Sequence, residues 1–291
     1  MDQREVDFSQ FEYSVPEYWY RGVYQDRTKC RDAARSFSLK HETQADECWL
    51  VIHGYRGYPG EFVRPAVDLF REGFDVFVPR LPGHGTCGRD FVRSHADDWT
   101  GLAGNAVQDL KTKYSKVHLL GHSMGTAIVA MLACKDPELG KIVYVSPSFE
   151  NLQMPWTARL MLHILAPFTP KINCHWHPSS KYHLHYENAP ADELYLGAEY
   201  WTWYFTRQLP EYYRIMKSGL KAIGKYPHEH LVICPGRDRI ISLPSLELYK
   251  EAVGERRNYV VIANGTHSLF YDKDPQAEED AVDALVSFAR Q

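Results

Sequence analysis

Residues 117–127 read Val117-His118-Leu119-Leu120-Gly121-His122-Ser123-Met124-Gly125-Thr126-Ala127. An apolar run, a glycine-flanked turn and the start of an apolar helix follow one another, with Ser123 at the apex of the turn. This order predicts a strand, a tight turn and a helix. Such a turn lifts a serine hydroxyl above a sheet, where small neighbours leave room for a base and a substrate. Chance produces the glycine and serine pattern in about one chain in ten of this length, so its surroundings must support the interpretation.

Strands and helices alternate on both sides of this turn. An almost wholly apolar run at 48–53 is typical of a strand buried on both faces. The predicted strands lie at 36–40, 48–53, 75–79, directly before Ser123, 142–146, 231–234 and 259–262, and the predicted helices at 65–72, 98–114, 124–135, 243–253 and from Asp274 onward. The helix at 98–114 places on one face Leu102, Ala103, Ala106, Val107, Leu110 and Tyr114. This alternation predicts an α/β fold with a doubly wound, mostly parallel sheet.

The alternation stops between residues 148 and 226. This segment, the insertion, is rich in Trp, Tyr, His and Pro and shows three helical patterns, at 155–165, 192–207 and 210–223, with no convincing strand. We expect a helical lid over the carboxyl edge of the sheet. The predicted organisation is therefore a core of residues 1–147 and 227–291, with the lid at 148–226.

The composition is that of an ordinary globular protein. The chain has 291 residues, of which 44% are hydrophobic and 24% charged, and its formal net charge is -4. This charge argues against nucleic acid as a partner, because phosphate binding relies on clustered Lys and Arg. No apolar run approaches the roughly 20 residues of a membrane span, and residues 1–24 lack an export pattern. We therefore expect a cytoplasmic protein without stable membrane insertion, whose six scattered cysteines are reduced thiols.

Three side chains follow strands that end at one edge of the predicted sheet. Ser123 follows one strand, Asp238 follows the strand at 231–234, and His267 follows the strand at 259–262. A serine hydroxyl needs a base to become a good nucleophile, and a histidine acts best when a carboxylate fixes its tautomer. The order Ser, Asp, His is also the one expected with a G-x-S-x-G turn. Ser123, Asp238 and His267 are therefore the candidate nucleophile, orienting acid and general base.

Acyl transfer also requires a site for the tetrahedral oxyanion, which two backbone N–H groups can stabilise. Met124, directly after the candidate nucleophile, is the first predicted donor. Tyr55, in the loop His53-Gly54-Tyr55-Arg56-Gly57, is the second. The other histidines near the site, His53, His84 and His122, are interpreted as structural.

A cluster in the insertion raises the possibility of zinc, because imidazole and thiolate are its usual ligands. Its members are Cys174, His175, His177, His183 and His185. Their spacing matches no structural zinc site well. We therefore predict no metal.

Several short motifs together resemble the α/β-hydrolase superfamily, and within it the group of bacterial carboxylesterases, monoacylglycerol lipases and serine-aminopeptidase-like proteins. The motifs are His53-Gly54, Arg80-Leu81-Pro82-Gly83-His84-Gly85, Gly121-His122-Ser123-Met124-Gly125, Gly236-Arg237-Asp238 and Gly265-Thr266-His267-Ser268. The resemblance extends from about Cys48 to Ser287 and is weakest in the insertion. It implies a carboxylic-ester hydrolase with a lid that needs no metal or organic cofactor. A departure lies at 226–230, where similar proteins have a more apolar segment, and it affects the edge of the lid.

The resulting hypothesis is a serine hydrolase that acts on small to medium carboxylic esters. A lysophospholipase or monoacylglycerol lipase would use the same side chains but should have a more apolar lid, whereas this insertion carries many His, Lys and Glu. A carbon-carbon bond hydrolase and a non-catalytic ligand-binding protein remain as alternatives. Haloalkane dehalogenases and epoxide hydrolases are disfavoured, because they have an aspartate in place of Ser123.

Overall fold

One eight-stranded sheet forms the centre of the protein. The computed structural model describes residues 11–12, 34–149, 156–173, 200, 203–223, 225, 229–238, 240–241, 243–253, 258–272 and 274–291. Within them the strands are β1 (Phe11–Glu12), β2 (Phe37–Leu39), β3 (Glu47–Ile52), β4 (Asp75–Val78), β5 (Lys116–His122), β6 (Ile142–Val145), β7 (Ile172–Asn173), β8 (Trp203–Tyr204), β9 (His230–Pro235) and β10 (Tyr259–Ile262). The sheet order is β1-β2-β4-β3-β5-β6-β9-β10, and the last six of these strands run parallel. The predicted mostly parallel sheet is confirmed, with two short antiparallel strands added at one edge.

Helices cover both faces of this sheet. The α-helices are α1 (Val63–Arg71), α2 (Gly88–Arg93), α3 (Ala96–Lys111), α4 (Met124–Lys135), α5 (Trp156–Leu165), α6 (Gln208–Ile223), α7 (Leu243–Val253) and α8 (Pro275–Ala289). Most bounds lie within three residues of the predicted ones. The stripe predicted for α3 is buried throughout. Helix α8 begins as predicted, because the Asp274 side chain accepts a hydrogen bond from the backbone N–H of Gln276 at 3.1 Å.

The core consists of two apolar layers, one on each face of the sheet. Along β3, Leu50 and Ile52 point into the layer that contains α3 and α4. Trp49 and Val51 point into the layer that contains α1 and α8. This alternation is the two-residue period of a strand. The run at 48–52 is apolar throughout because both of its faces are buried.

The insertion enters between β6 and β9, which are neighbours in the sheet. Its helix α6 packs closely on α4, the helix that follows Ser123. A Cβ atom added to Gly219 of α6 would lie 2.5 Å from the Cα and Cβ atoms of Ala127, so only glycine allows this approach. The end of the insertion is therefore part of the core packing. The bounds of the lid, 148–226, stay a prediction.

Two expectations for the insertion were wrong. Trp203–Tyr204, inside the helix predicted at 192–207, forms the strand β8 and pairs antiparallel with β7. The expectation that the insertion has no strand fails for the same reason. Aromatic residues are frequent in strands, and the Lys171 ammonium lies 4.0 Å from the centre of the Trp203 ring across this ribbon. The remainder of that predicted helix, at 192–199 and 201–202, lies outside the described residues.

Candidate active site

Ser123 lies in a strained turn between β5 and α4. Its φ of 52° is in the left-handed region, which non-glycine residues rarely adopt. The glycines around it are required by close approach. A Cβ atom at Gly121 would lie 2.5 Å from the carbonyl oxygen of Gly125, and one at Gly125 would lie 2.1 Å from that of Ile52. The turn therefore has a single tight geometry that places the Ser123 hydroxyl at the carboxyl end of β5.

His267 and Asp238 complete a chain of hydrogen bonds that starts at this hydroxyl. The Nε2 atom of His267 lies 3.0 Å from Ser123 Oγ, and its Nδ1 atom lies 2.8 Å from Asp238 Oδ2. Because a carboxylate can only accept, Nδ1 carries the proton and Nε2 accepts from the serine. Ser123 and His267 are 6% and 9% exposed, so these hydrogen bonds are shielded from water. The structure thus brings together the three side chains predicted from the sequence.

The Asp238 carboxylate is held in its ionised form. Its other oxygen accepts the backbone N–H groups of Ile240 and Ile241 at 2.7 and 2.9 Å. Burial opposes ionisation, but the charge of His267 and these hydrogen bonds outweigh it, so the pKa of Asp238 lies below its ordinary value. An ionised Asp238 can orient the imidazole of His267.

The two predicted oxyanion donors belong to segments next to Ser123. Met124 is the first residue of α4, where a backbone N–H has no acceptor within the helix. Tyr55 lies in a turn closed by the hydrogen bond from Gly57 N to Gly54 O, at 3.1 Å. A Cβ atom at Gly54 would lie 2.9 Å from the Cβ of Ser123, so this turn lies directly against the nucleophile candidate. The roles of Tyr55 and Met124 stay predictions.

Residues of the insertion hold the Tyr55 turn from outside. Arg56 donates from Nη1 to the carbonyl oxygens of Tyr200 and Trp203, at 3.3 and 3.0 Å. The ring of Tyr55 stacks on that of Tyr212 in α6, with centroids 4.9 Å apart. These contacts connect the turn beside Ser123 to the segment that we expect to contact substrate. Sequence inspection missed them, because no local pattern pairs residues so distant in the chain.

The two histidines on neighbouring loops are buried and bonded to the backbone. His53 Nε2 accepts the N–H of Leu81 at 3.0 Å, and burial lowers the pKa of His53 to about 4. His84 Nδ1 lies 3.1 Å from the carbonyl oxygen of Pro82, and burial, together with His53, holds the pKa of His84 well below its usual range. The ring of His53 thus joins its loop to Leu81, whereas that of His84 bonds within its own loop. Both rings lie outside the hydrogen-bonded chain from Ser123 to Asp238, which agrees with their structural interpretation.

The loop that carries His267 has supports that the sequence did not reveal. Asp272 accepts hydrogen bonds from the backbone N–H and the hydroxyl of Thr266, at 2.6 and 2.7 Å. The backbone carbonyl of His267 accepts hydrogen bonds from the side chains of His122 and Ser146. The local sequence signal was the presence of a polar residue at the end of β5, His122, and of another directly after β6, Ser146.

The described part of the insertion exposes several large apolar side chains, which the sequence did not lead us to expect. Four side chains on α5 and the following turn are more than half exposed, namely Leu160 (53%), Met161 (53%), Ile164 (56%) and Phe168 (84%). A contiguous apolar face of this kind is uncommon on a protein surface unless it contacts something. We name these four residues the α5 face.

The remaining sequence hypotheses concern metal and membrane. The cluster from Cys174 to His185 lies outside the described residues. In the described ranges no group of three or more His, Cys, Asp or Glu side chains is arranged to hold a metal ion. None of the helices that the structure describes is both long and apolar enough to span a bilayer.

Comparison with known sequences decides the family. The family model described as serine aminopeptidase, S33, matches residues 43–274, which is most of the chain and includes Ser123, Asp238 and His267. The chain belongs to this family of α/β hydrolases. The resemblance inferred from the short motifs is thereby confirmed.

Individual relatives of this S33 family member match shorter parts of its sequence. A thermostable monoacylglycerol lipase of Bacillus sp. (strain H-257) is 30% identical over 102 residues, which are 35% of this chain and 40% of the lipase. Lipase 1 of Psychrobacter immobilis is 30% identical over 104 residues, or 36% of this chain and 32% of that protein. The matched stretches thus span about a third to two-fifths of these curated relatives.

Solved structures match almost the whole fold. A structure from work on the metagenome-derived lipolytic enzymes LipS and LipT superposes with a TM-score of 0.74 at 19% identity, covering 90% of this chain and 99% of the other. A soluble variant of monoglyceride lipase from Saccharomyces cerevisiae superposes with a TM-score of 0.68 at 17% identity, covering 91% and 97%. At these identities the likeness establishes the fold.

Proposed function

We propose that this protein is a serine hydrolase that cleaves small to medium carboxylic esters through an acyl-enzyme on Ser123. The proposal is supported most directly by one observation. The hydroxyl of Ser123, both nitrogens of His267 and the carboxylate of Asp238 form a single hydrogen-bonded chain, with distances of 3.0 and 2.8 Å. The S33 family membership and the partial similarity to lipases favour the same chemistry.

In the proposed reaction, His267 removes the proton of Ser123 as its oxygen attacks the ester carbonyl. The backbone N–H groups of Tyr55 and Met124 donate hydrogen bonds to the oxyanion, where each such bond contributes on the order of 3 kcal/mol. Asp238 stabilises the imidazolium. His267 then protonates the departing alcohol, and water attacks the acyl-enzyme with His267 again as base. The carboxylic acid leaves as the bond to Ser123 breaks and His267 returns the proton to the serine oxygen. These steps use water and groups of this chain, and no cofactor is proposed.

The insertion is the proposed lid and the source of substrate selectivity. Tyr212 and Arg56 connect it to the turn beside Ser123, so substrate bound under it would meet the reacting serine. We expect a small-molecule ester to be the substrate of this site.

A second candidate is a monoacylglycerol lipase or lysophospholipase with the same chemistry. The α5 face favours it, because exposed apolar side chains are suited to contact with lipid aggregates. The sequence hypothesis gave less weight to this candidate on account of the polar residues of the insertion. The α5 face reduces that difference.

A series of p-nitrophenyl esters from acetate to palmitate, together with emulsified monoacylglycerol, separates the candidates. Maximal turnover at short or medium chains supports the esterase. Maximal turnover at palmitate, with strong activity on the emulsion, supports the lipase. The substitution Ser123→Ala should lower kcat by about 10⁶-fold on every substrate that the wild type hydrolyses. The absence of hydrolysis at all chain lengths, or near-normal turnover by the variant, would contradict both.

A further inference from the structure

The backbone carbonyl of His267 accepts two hydrogen bonds from buried side chains. The Nε2–H group of His122 donates to it at 2.8 Å, and the hydroxyl of Ser146 donates at 2.7 Å. His122 is 6% exposed and Ser146 is 1% exposed. A carbonyl oxygen has two lone pairs, so these two donors saturate it. The peptide group that follows the His267 side chain is therefore fixed in orientation.

Both donors lie at the ends of paired strands in the middle of the sheet. His122 is the last residue of β5, and it pairs in register with Val145, the residue before Ser146 on the neighbouring strand β6. The backbone N–H of Ser146 is itself bonded to the carbonyl oxygen of Ile233 in β9, at 2.9 Å. Three adjacent parallel strands thus hold the two donors at fixed positions.

The backbone of Ser146 is strained. Its φ of 49° is in the left-handed region, which is unfavourable for a residue with a Cβ atom. In this conformation the Ser146 hydroxyl donates its hydrogen bond to the backbone carbonyl of His267. Strained residues of this kind persist where the surrounding structure requires them and are frequent at functional sites.

His122 acts here as a neutral donor. Burial, and then the nearby ring of His267, lower the pKa of His122 to about 3. The centroids of the two rings lie 5.1 Å apart. A charged His122 at this distance would oppose the positive charge that His267 acquires in the proposed reaction. A neutral His122 holds the loop without that repulsion.

We propose that His122 and Ser146 are positioning residues that set the imidazole of His267 between Ser123 and Asp238 by fixing its backbone carbonyl. The proposal rests on the proposed function. Nucleophile and base are thereby coupled through His122, because it is adjacent to Ser123 in the chain and bonded to His267 in space. Displacement of a catalytic group by about 1 Å reduces the rate by on the order of 10²-fold.

The test compares Ser146→Ala, His122→Leu and His122→Gln on p-nitrophenyl acetate. We expect Ser146→Ala to lower kcat about 10-fold and His122→Leu about 100-fold, with KM unchanged, since only the base is misplaced. His122→Gln should recover most of the loss, because its amide nitrogen can donate to the same carbonyl. Ser94→Ala is the matched control. It removes another buried serine hydroxyl that donates to a carbonyl, that of Phe91 at 2.9 Å, and should retain normal kcat.

A second readout distinguishes positioning from simple stabilisation. In Ser146→Ala, the acid limb of the kcat/KM profile should move to lower pH, because a displaced imidazole is less stabilised by Asp238 when protonated. The low-field proton NMR signal of the His267 to Asp238 hydrogen bond should weaken as well. Unchanged kcat, pH profile and NMR signal in Ser146→Ala would overturn the proposal, as would equal impairment of the Gln and Leu variants of His122.

Labelling with a fluorophosphonate probe separates this proposal from the proposed function. Slower labelling of Ser123 in Ser146→Ala than in the wild type supports the positioning role. Equal rates in both proteins overturn the positioning role and leave the serine hydrolase intact. Failure of the wild type to react at Ser123 overturns both.

Discussion

The carboxyl edge of the sheet and the α5 face are opposite kinds of surface. At the edge, the side chains of Ser123, Asp238 and His267 are shielded from solvent and bonded to one another. On the α5 face, large apolar side chains are exposed. Under the proposed function, this difference assigns the chemistry and the choice of substrate to different places. We therefore expect changes on the α5 face to leave the reaction at the edge unaffected.

Helix α6 connects these two regions. It packs on α4 through Gly219, and its Tyr212 stacks on Tyr55 beside the nucleophile candidate. The insertion thus has an anchored end and an exposed end. Changes at the edge, at α6 and on the α5 face should therefore have effects of decreasing size and of different kinds.

Among the variants that keep Ser123, the largest effect is expected for Asp238→Asn at the edge. An amide cannot hold His267 in the required tautomer or stabilise the imidazolium, so kcat should fall about 10⁴-fold. Steady-state kinetics on a soluble ester measure the loss. Asp274→Asn is the matched control, since asparagine also caps a helix, and it should behave as the wild type. A loss smaller than tenfold in Asp238→Asn would remove Asp238 from the proposed triad.

The buried histidines of the edge make stability depend on pH. The pKa values of His53 and His122 are lowered to about 4 and about 3, from an ordinary value of 6.5, with burial as the main cause. Below pH 6.5 the unfolded chain therefore binds protons that the folded protein does not. Proton binding therefore favours the unfolded state, and the free energy of unfolding falls as the pH is lowered from 6.5 towards 4.

From these two groups the free energy of unfolding should decrease by about 3 kcal/mol between pH 8 and pH 5.5. Urea unfolding at a series of pH values measures the decrease. In His122→Gln the decrease should be smaller by about 1.5 kcal/mol, which is the contribution of this one histidine. A stability that is constant over this interval would show that neither ring is buried as described.

Gly219→Ala tests the connection through α6. The added Cβ would overlap Ala127, so the free energy of unfolding should fall by about 2 kcal/mol through overpacking. Gly101→Ala in α3 is the matched control, because its Cβ would meet open space. That variant should be more stable by roughly 0.5–1 kcal/mol, the ordinary helical preference for alanine. Equal stability changes in the two variants would mean that α6 does not lie closely on α4.

The smallest effect is expected on the α5 face. Replacing Ile164 and Phe168 together by serine should lower activity on emulsified monoacylglycerol about fivefold, which corresponds to roughly 1 kcal/mol of lost apolar contact. Activity on p-nitrophenyl acetate should not change. Val261→Ser is the control, because it replaces an apolar side chain that is half exposed on β10, away from the α5 face. If activity on the soluble ester falls in parallel, the α5 face supports the fold rather than contact with lipid.

The features predictable from the sequence were those with a local signal. The turn at Ser123 has its own glycines, and β3 has an unbroken apolar run because both faces are buried. Asp238 and His267 were chosen as candidates because strand ends of a parallel sheet meet at one edge, which makes chain order informative. The structure places these residues where that argument expected them.

The features that the sequence did not reveal depend on contacts between distant residues. Trp203 and Tyr204 are strand residues because β7 lies beside them, whereas their own neighbours favoured a helix. The donation of Ser146 to the carbonyl of His267 joins residues far apart in the chain, and nothing around Ser146 indicates it. The exposure of Phe168 likewise depends on how α5 is placed rather than on its composition.

Covalent labelling tests the central claim most directly. The protein is treated with a fluorophosphonate probe, digested and analysed by mass spectrometry, in parallel with Ser123→Ala. We predict a single adduct on the peptide that contains Ser123, no adduct in the variant, and loss of esterase activity in proportion to labelling. An unlabelled wild type, or equal labelling of the variant, would contradict the assignment of Ser123 as the nucleophile.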